Sequence, residues 1–518
     1  MSASIFTLNE DCLTLLLGFL KLQDLINLDL CATGDKVHCI EGSSYLNSLQ
    51  HLENYNLNDS KRPIDDWERE CVLLGWSPQS VLWGCRKNLC CLLSARGFML
   101  GISNRRVEGA LGVEEDKITE MEKRTRDRLR ARMELALGAI GTKCAKTIMV
   151  QLQGSAITDR GVTSLLASKV PINCVSFLYC RSITDAALVA VSEHLGDCLE
   201  ELSIADCPVS DAGLIQVITG CPKISSLSLS FREFIHDDPA KVRRFPSPAF
   251  RITDATLFAV AQSLPDLSIL YCHCQGFYRL DREDYIPSDA FEAIVKACGL
   301  LSTLEIEGVA TDDEFLVALG NSCPYLSEFS FDGNGDTEVT DVGITALAEG
   351  CPDLTRLDAN YSTDVSDAGM TSLVNHCPKL ENLTVPSTTT DDGLQIVLTS
   401  CKSLEALKLR DCFALTVSSA RTLADHGENL TELELCDILW LDDASLLTIA
   451  AGCTSLNAID LFSFDVNLPV RVTNEGLLAA AQACKKSTLY FGLRGTHVTQ
   501  EGIDELARAC PAVHCRFI

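Results

Sequence analysis

A three-residue pattern, an aliphatic residue followed by Thr or Ser and then Asp, recurs along this chain every 26 residues and limits how it can fold. Asp159, Asp185 and Asp211 are spaced at this interval, and so are Asp341 and Asp367. Thr or Ser before Asp is a favourable helix start, because the hydroxyl caps free backbone N–H groups and the carboxylate faces the positive end of the helix dipole. A repeated helix start predicts a chain of small stacked units, none of which can bury its apolar face alone.

The residues after each triplet have helical spacing and end at a cysteine. Ile344, Leu347 and Cys351 lie at i, i+3 and i+7, on one face of a helix. Proline often follows the cysteine, as at Pro352, and stops the helix. The chain has 26 cysteines. Because many of them recur at one register, we interpret them as free thiols that pack like small apolar side chains.

A short strand opens three residues after the repeated cysteine. Leu354–Ala359 follows the form L-x-x-L-x-L, the strand signature of leucine-rich repeats, with Ala in place of the last Leu. One strand and one helix per unit predict an α/β solenoid, a horseshoe with parallel strands on its concave face and helices on its convex face. It would span about residues 141–518 in about 12–13 repeats, after a small helical N-terminal region. The order L-x-x-L-x-L, I-T-D-x-G-L and C-P resembles the cysteine-containing leucine-rich repeats.

Three intervals are longer than the repeat, and each has its extra residues between strand and helix. These insertions are residues 231–250, 275–286 and 463–471, and they are rich in arginine and aromatic residues. Because they share one register, we expect them to project from one rim of the solenoid and to bind a partner, the alternative being loops without a role. The candidate rim residues are Phe277, Tyr278, Arg279 and Phe462.

The outward positions of the strands predict a binding face that is mostly acidic, with a basic island at Lys408 and Arg410. A basic or mixed-charge protein segment would suit this face, although an ordinary solvated sheet face could have the same charges. The candidate partner-binding residues on the strands are Tyr271, His273, Glu305, Glu307, Arg356, Asp358, Lys408, Arg410, Glu432, Glu434, Asp460, Tyr490 and Arg494.

The N-terminal residues 1–45 form a second, separate feature. We predict one helix from about Glu10 to Leu20 and another from near Gln23, both rich in leucine. The stretch resembles an F-box, although Asn9 stands where Pro is usual and no Trp follows Cys31. The resemblance implies that this region docks the adaptor subunit of a cullin-type ubiquitin ligase; the alternative is a helical cap on the first repeat. The residues that match are Leu8, Leu13, Leu16, Phe19, Leu20, Leu25 and Leu28.

Residues 46–140 predict a helical linker or cap region that includes a charged connector helix over Lys117–Glu134. The formal net charge of the whole chain is -28, which disfavours nucleic-acid and anionic-membrane partners. The apolar run Leu13–Leu20 is too short to span a bilayer, and it follows two acidic residues where a secretory signal is positive. We therefore expect a cytoplasmic or nuclear protein.

The sequence offers no pattern that indicates catalysis. Phosphate-binding loops, nucleophile elbows and zinc-protease motifs are absent from it. Cys272, His273 and Cys274 cannot bind one metal ion together, because strand alternation sends Cys272 inward and His273 outward. We expect no cofactor, no metal and no enzyme activity.

These patterns together predict a protein-protein interaction module. Combined with the F-box resemblance, they predict the substrate-recognition subunit of an SCF-type ubiquitin ligase that binds a protein substrate. The alternative is a leucine-rich-repeat scaffold or regulatory protein with no ligase link.

Overall fold

The structure is a computed structural model, and it describes most of the chain from residue 147 onward. The described residues are 28–31, 98–102, 130–131, 134–135, 137–138, 141, 147–154, 157–167, 171–231, 252–273, 288–307, 309, 311–332, 338–360, 362–463, 470–484 and 489–517. The chain divides into two compact units, Met1–Leu264 and Pro265–Ile518.

The first unit alternates strands and helices. Its strands are β1 (Leu28–Cys31), β2 (Phe98–Ile102), β3 (Thr147–Gln153), β4 (Cys174–Leu178), β5 (Glu201–Ala205) and β6 (Ser226–Ser230). Its helices are α1 (Asp159–Leu166), α2 (Asp185–Leu195), α3 (Asp211–Gly220) and α4 (Asp254–Ser263). From β2 to β6 each strand pairs in parallel with the next one in the chain.

The second unit continues the alternation with ten strands and nine helices in its described part. The strands are β7 (Ile269–His273), β8 (Thr303–Glu307), β9 (Glu328–Asp332), β10 (Arg356–Asn360), β11 (Asn382–Thr384), β12 (Ala406–Arg410), β13 (Glu432–Cys436), β14 (Ala458–Phe462), β15 (Leu489–Arg494) and β16 (Val513–Phe517). The helices are α5 (Ser288–Ala297), α6 (Asp313–Ser322), α7 (Asp341–Gly350), α8 (Asp367–His376), α9 (Asp391–Ser400), α10 (Ser418–His426), α11 (Asp443–Gly452), α12 (Asn474–Ala483) and α13 (Gln500–Ala509).

Strands β7 to β16 are parallel, and each pairs with its neighbour in the chain. Each repeat consists of one strand followed by one helix, which confirms the predicted α/β leucine-rich-repeat solenoid. The inward strand residues and the apolar helix faces are buried: Leu357 of β10 and Ile344 and Leu347 of α7 are at most 2% exposed. Packing of this kind between successive repeats stabilises units too small to fold alone.

The repeated Thr/Ser-Asp pair joins neighbouring repeats, which is more than the helix cap that the sequence predicted. The side chain of Ser366 does cap α8, accepting a hydrogen bond from the N–H of Ala368 at 3.1 Å. The aspartate of the preceding repeat adds two bonds: Asp341 accepts from the N–H of Ser366 at 2.7 Å and from its hydroxyl at 2.6 Å. The triplet that ends at Asp367 is therefore both a helix start and the partner of the next helix start, because Asp367 accepts the same two bonds from Thr390.

The first and the third long insertions leave this link intact. Thr253 donates its N–H and its hydroxyl to Asp211 at 3.1 and 2.7 Å, although more than forty residues separate them. Thr473 makes the same two bonds to Asp443 at 2.8 and 2.7 Å across the third insertion. The extra residues consequently enter between strand and helix without changing how the helices stack.

A glycine two residues after the aspartate has a specific reason in this contact. An ideal Cβ built at Gly369 would lie 3.2 Å from Cγ of Asp341 and closer still to its Oδ1. The N–H of Gly369 also donates to that oxygen at 3.0 Å. The carboxylate occupies the space that a side chain would need, which explains the glycine of the T-D-x-G pattern.

The repeated cysteines form a second link between repeats. The backbone N–H of Cys351 closes the last turn of α7 on Leu347, and its thiol donates to the carbonyl of Cys323 at 3.4 Å. Cys377 repeats this bond to the carbonyl of Cys351 at 3.5 Å. Burial first, and then the neighbouring Cys323, raises the pKa of Cys351 to about 12. The cysteines whose side chains the structure describes are free, as predicted, and most of them are buried, while others such as Cys484 and Cys510 are half-buried.

The N-terminal region differs from the sequence prediction where the structure describes it. Leu28–Cys31 is a strand that pairs antiparallel with Phe98–Ile102, whereas we expected this stretch in the second of two helices. Leucine-rich spacing that fits an amphipathic helix is also compatible with a short strand. Alternating leucines such as Leu28 and Leu30 can therefore pair with another strand. The other F-box-like positions, Leu8 to Leu25, lie outside the described residues.

Among the described residues, none of the helices combines the length and the apolar character needed to cross a membrane.

Candidate partner-binding face

The outward side chains of β7 to β15 form two rows across the strands of the second unit. Strand register aligns the third residue of β7 to β14 with Gly492, the fourth of β15, into a middle row, and the fifth residue of the five-residue strands with Arg494, the sixth of β15, into an end row. The middle row is Tyr271, Glu305, Ser330, Asp358, Thr384, Lys408, Glu434, Asp460 and Gly492. The end row includes His273, Glu307, Arg410, Phe462 and Arg494.

The expected inward and outward alternation is confirmed along these strands. On β12, Leu407 and Leu409 are buried while Lys408 and Arg410 are half-buried. On β7, Cys272 is buried and His273 is half-buried, so these neighbours do face opposite sides. The rows therefore present polar groups on the side of the sheet away from the helices.

In the basic island predicted at Lys408 and Arg410, each cation is paired with an acidic side chain. Lys408 Nζ lies 3.4 Å from Asp358 Oδ2 and reaches it across the intervening strand β11. Arg410 makes a bidentate contact with Glu434, with Nε to Oε1 at 2.5 Å and the second nitrogen to Oε2 at 3.0 Å. The pairing could not be predicted from residue types alone, since Asp358 and Lys408 are 50 residues apart.

The bidentate pair holds Arg410 firmly charged. Burial alone would lower the pKa of Arg410, but the hydrogen bonds and charge of Glu434, with the charge of Asp358, raise it overall. The side chains are only 28% and 13% exposed. A fork-to-fork pair of this kind fixes both side chains in one geometry and gives the face a rigid polar centre.

An acidic patch lies on the next two strands and consists of Glu432, Glu434 and Asp460. Burial, followed by the charge of Glu434, raises the pKa of Asp460. Glu432 is exposed and lies two residues before Glu434, on the same face of β13. Because Glu434 is engaged by Arg410, Glu432 and Asp460 are the members of this patch available to a positive group from a partner.

The first strands of the unit carry a second polar group around Tyr271. Burial, and then the charges of Glu328 and Glu305, raises the pKa of Tyr271, and Arg356 acts in the opposite direction. Arg356 lies 3.9 Å from Glu328, at the distance of a weak ion pair. The phenol therefore sits beside carboxylates that favour its neutral, hydrogen-bond-donating form.

His273 lies between two glutamates of the neighbouring strand. Its Nε2 is 3.3 Å from Oε1 of Glu305, and its Nδ1 is 3.6 Å from Oε2 of Glu307. Register places His273 directly opposite Glu307 and one step diagonal from Glu305. Among the described residues, these three side chains can each offer one ligand atom with all three atoms within 4.8 Å of one another.

The last strands offer aromatic surface. Tyr490 is 54% exposed, and its ring centroid lies 5.1 Å from that of His514 on β16. Phe462 was predicted in a rim loop, but it is the last residue of β14, paired in register with Arg494. The strand extends one residue further than the repeat pattern indicated, so Phe462 belongs to the end row of the face.

The structure also places residues at this face that sequence reasoning missed. Asp411 and Asp437 directly follow β12 and β13, and both have left-handed backbones, with φ of 53° and 52°. Asp437 accepts a hydrogen bond from the hydroxyl of Ser463 at 2.7 Å. The sequence signal that could have indicated them is an aspartate directly after a repeat strand, because aspartate tolerates a left-handed backbone better than most residues. Phe277, Tyr278 and Arg279 of the rim lie outside the described residues.

The chain is similar to curated F-box proteins and to a solved structure. No family model matches the chain. The F-box protein FBX14 of Arabidopsis thaliana is 27% identical over 231 residues, which are 42% of this chain and 33% of that protein. The putative F-box/LRR-repeat protein 22 of the same plant is 26% identical over 136 residues, 25% of this chain and 39% of that one. The chain thus spans about a third of the length of the curated relatives it matches.

A solved structure with similarity to this chain is the complex of Rad7 and Elc1 in yeast. The similarity has a TM-score of 0.47 at 16% sequence identity and covers 78% of this chain and 96% of the solved one.

Proposed function

We propose that this leucine-rich-repeat protein of the F-box/LRR type is a protein-interaction subunit that binds a partner protein on the two rows of the second unit. The observation that carries the proposal is the composition of these rows. The rows contain half-buried polar pairs and the acidic residues Glu434 and Asp460, and the exposed side chains of Glu432 and Tyr490 lie two residues before the middle row on their strands. Tyrosine and arginine on a rigid scaffold are typical of the residues that dominate protein interfaces.

The partner segment that fits this face is basic or of mixed charge. A lysine or arginine placed near Asp460 and Glu432 would stabilise the ionised form of Asp460, which burial now disfavours. Tyr490, one strand further, offers a ring for the apolar part of the same segment. We further propose that the face is a recognition surface and performs no chemistry.

The finer proposal is that the protein is the substrate-recognition subunit of an SCF-type ubiquitin ligase, acting in the cytoplasm or nucleus. It rests on the F-box-like residues 1–45 together with F-box proteins among the relatives. The leucines of the N-terminal region would dock the adaptor, and the repeat face would hold the target.

A second candidate is a scaffold or regulator without a ligase link. The strand pair of Leu28–Cys31 with Phe98–Ile102 favours it, because a segment added to the sheet edge behaves as a cap on the repeats. In that case the N-terminal leucines would be buried within the protein and would have no adaptor to bind.

Co-expression with an SCF adaptor subunit separates these two candidates. We expect the full-length chain to copurify with the adaptor at a defined ratio and the Leu13→Glu, Leu16→Glu double variant to lose it. Deletion of residues 1–45 should have the same effect but also removes β1, so the point variant is the cleaner test. A full-length chain that is folded by circular dichroism and does not bind the adaptor would refute the ligase proposal.

The face is tested separately by Asp460→Asn with Glu432→Gln. This double variant should keep adaptor binding and lose partners that crosslinking captures from cells. Raised salt should weaken binding of the same partners to the unmodified protein, because it screens the charges of the acidic patch. The matched control is Glu381→Gln, a glutamate outside the strand rows that should retain every partner. An identical partner set in both variants would show that this part of the face is not the binding surface.

A further inference from the structure

His273, Glu305 and Glu307 bring three potential metal-ligand atoms within 4.8 Å of one another, a convergence that protein binding alone does not require. We infer that these three side chains bind a divalent transition-metal ion across strands β7 and β8. The site lies on the same face as the proposed partner-binding rows, but it uses strands β7 and β8 and not the acidic patch of Glu432 and Asp460, so the two can be tested separately.

The convergence comes from the strand register. His273 and Glu307 are direct cross-strand partners, and Glu305 is the outward residue two positions earlier on β8. The imidazole therefore lies between the two carboxylates, with one ring nitrogen towards each. The side chains are only 13%, 25% and 30% exposed, so the group is largely shielded while solvent can still supply further ligands.

The separation of Nε2 from Oε1 of Glu305 matches two ligands that share an ion better than it matches a direct hydrogen bond, whereas the contact with Glu307 is made by the other ring nitrogen and is not a separation between two ligands of one ion. Charge-assisted hydrogen bonds between imidazolium and carboxylate are typically about 2.7–2.9 Å long. The two contacts here are 3.3 and 3.6 Å. Two ligands bound tetrahedrally at about 2.0–2.2 Å from a zinc ion are themselves roughly 3.3–3.6 Å apart.

The chemistry of the three groups selects the class of ion. A neutral imidazole with two carboxylates has a charge of -2, which a dication neutralises. The mixed nitrogen and oxygen set favours Zn²⁺, Mn²⁺ or Fe²⁺, whereas Ca²⁺ and Mg²⁺ prefer oxygen ligands alone. The ion would be bound by one ring nitrogen of His273 and by one oxygen of each glutamate, three atoms that lie within 4.8 Å of one another.

The site also differs from the metal group considered from sequence. Cys272 is buried on the opposite side of β7 and takes no part. The glutamates come from the neighbouring repeat, so no local sequence motif contains the three ligands.

The test uses the full-length protein, stripped with a chelator and kept reduced, with Mn²⁺ as the probe. Manganese avoids thiolates, so the many cysteines do not compete for it. Free Mn²⁺ measured by electron paramagnetic resonance should reveal one bound ion per chain with micromolar affinity. His273→Ala, Glu305→Gln and Glu307→Gln should each weaken binding at least tenfold. Glu432→Gln, which removes an outward glutamate of the acidic patch, should leave the affinity within twofold.

Two outcomes overturn the inference. The first is a wild-type protein that binds no Mn²⁺ below 1 mM, and the second is binding that all three ligand variants retain. Circular dichroism confirms folding of each variant, and the isosteric Glu305→Gln keeps the test valid where His273→Ala fails to fold. Adaptor and partner binding are measured on the same chelator-treated protein, so failure of the metal site is distinguishable from failure of the proposed function.

Discussion

Replacement of Gly369 by alanine tests whether the aspartate contact between repeats governs stability. In an ordinary helix, glycine to alanine stabilises by roughly 0.5–1 kcal/mol, because glycine loses more backbone entropy on folding. At Gly369 the new Cβ would fall within 3.2 Å of Cγ of Asp341 and nearer to its Oδ1. The aspartate must move, and we therefore predict the opposite sign.

The magnitude follows from the bonds of Asp341. Its carboxylate accepts from the N–H of Ser366, the hydroxyl of Ser366 and the N–H of Gly369, at 2.7, 2.6 and 3.0 Å. Overpacking costs about 1–3 kcal/mol, and the loss of one hydrogen bond to a charged group about 1.5 kcal/mol, the low end for a partly exposed site. After the gain in helix propensity, Gly369→Ala should reduce the free energy of unfolding by about 2 kcal/mol.

A double-mutant cycle in urea denaturation identifies the cause. Asp341→Ala alone should cost about 2 kcal/mol for its lost hydrogen bonds. The double variant Asp341→Ala, Gly369→Ala should cost little more than Asp341→Ala, because the Cβ then enters vacated space, so the pair should be non-additive by at least 1 kcal/mol. Gly299→Ala is the matched control, since its nearest atom, the carbonyl oxygen of Ser322, is 3.4 Å away. A neutral or stabilising Gly369→Ala, or an additive double variant, would refute the steric argument.

Three further outcomes follow from the same contacts. The Cys351 thiol, whose pKa burial raises to about 12, should react with a disulfide reagent at pH 8 only as fast as the protein unfolds, as seen by mass spectrometry. Hydrogen bonds from Ser445 lower the pKa of Asp442, so the stability it adds is present above the ordinary aspartate pKa and is lost as pH falls through the lowered value. Asp442→Asn should flatten that part of the acid unfolding curve. Arg410→Met should destabilise the protein by about 2 kcal/mol in urea, because Glu434 keeps its half-buried charge without its partner, and Glu434→Gln in the same chain should recover part of the loss.

The repeat was predictable because each element leaves a periodic trace in the sequence. The helix start, the buried cysteine and the strand leucines recur at fixed spacing, so the order of elements and the outward positions such as Lys408 and Asp460 could be predicted. Local propensity and burial decide these features, and both are properties of short segments.

Contacts between repeats were beyond the same reasoning. That Asp341 bonds to Ser366, or that Lys408 pairs with Asp358, depends on how one repeat is placed on the next. The strand at Leu28–Cys31 depends on a partner 70 residues away, which helix-like leucine spacing does not reveal. The pairing of Lys408 and Arg410 has the same origin, because their acidic partners come from other strands of the sheet.

The two kinds of contact explain how such a chain can keep its fold while its binding face changes. The aspartate and cysteine links use the helix ends and backbone groups of neighbouring repeats, as in Asp341 with Ser366 and Cys377 with Cys351. No side chain of the middle row takes part in these links. Substitutions on the strand rows therefore alter charge and shape for a partner at little cost in stacking, except where a pair such as Arg410 with Glu434 has fixed both. Such fixed pairs orient the face, and the unpaired positions around them, Glu432 and Tyr490 among them, are where partner specificity can vary.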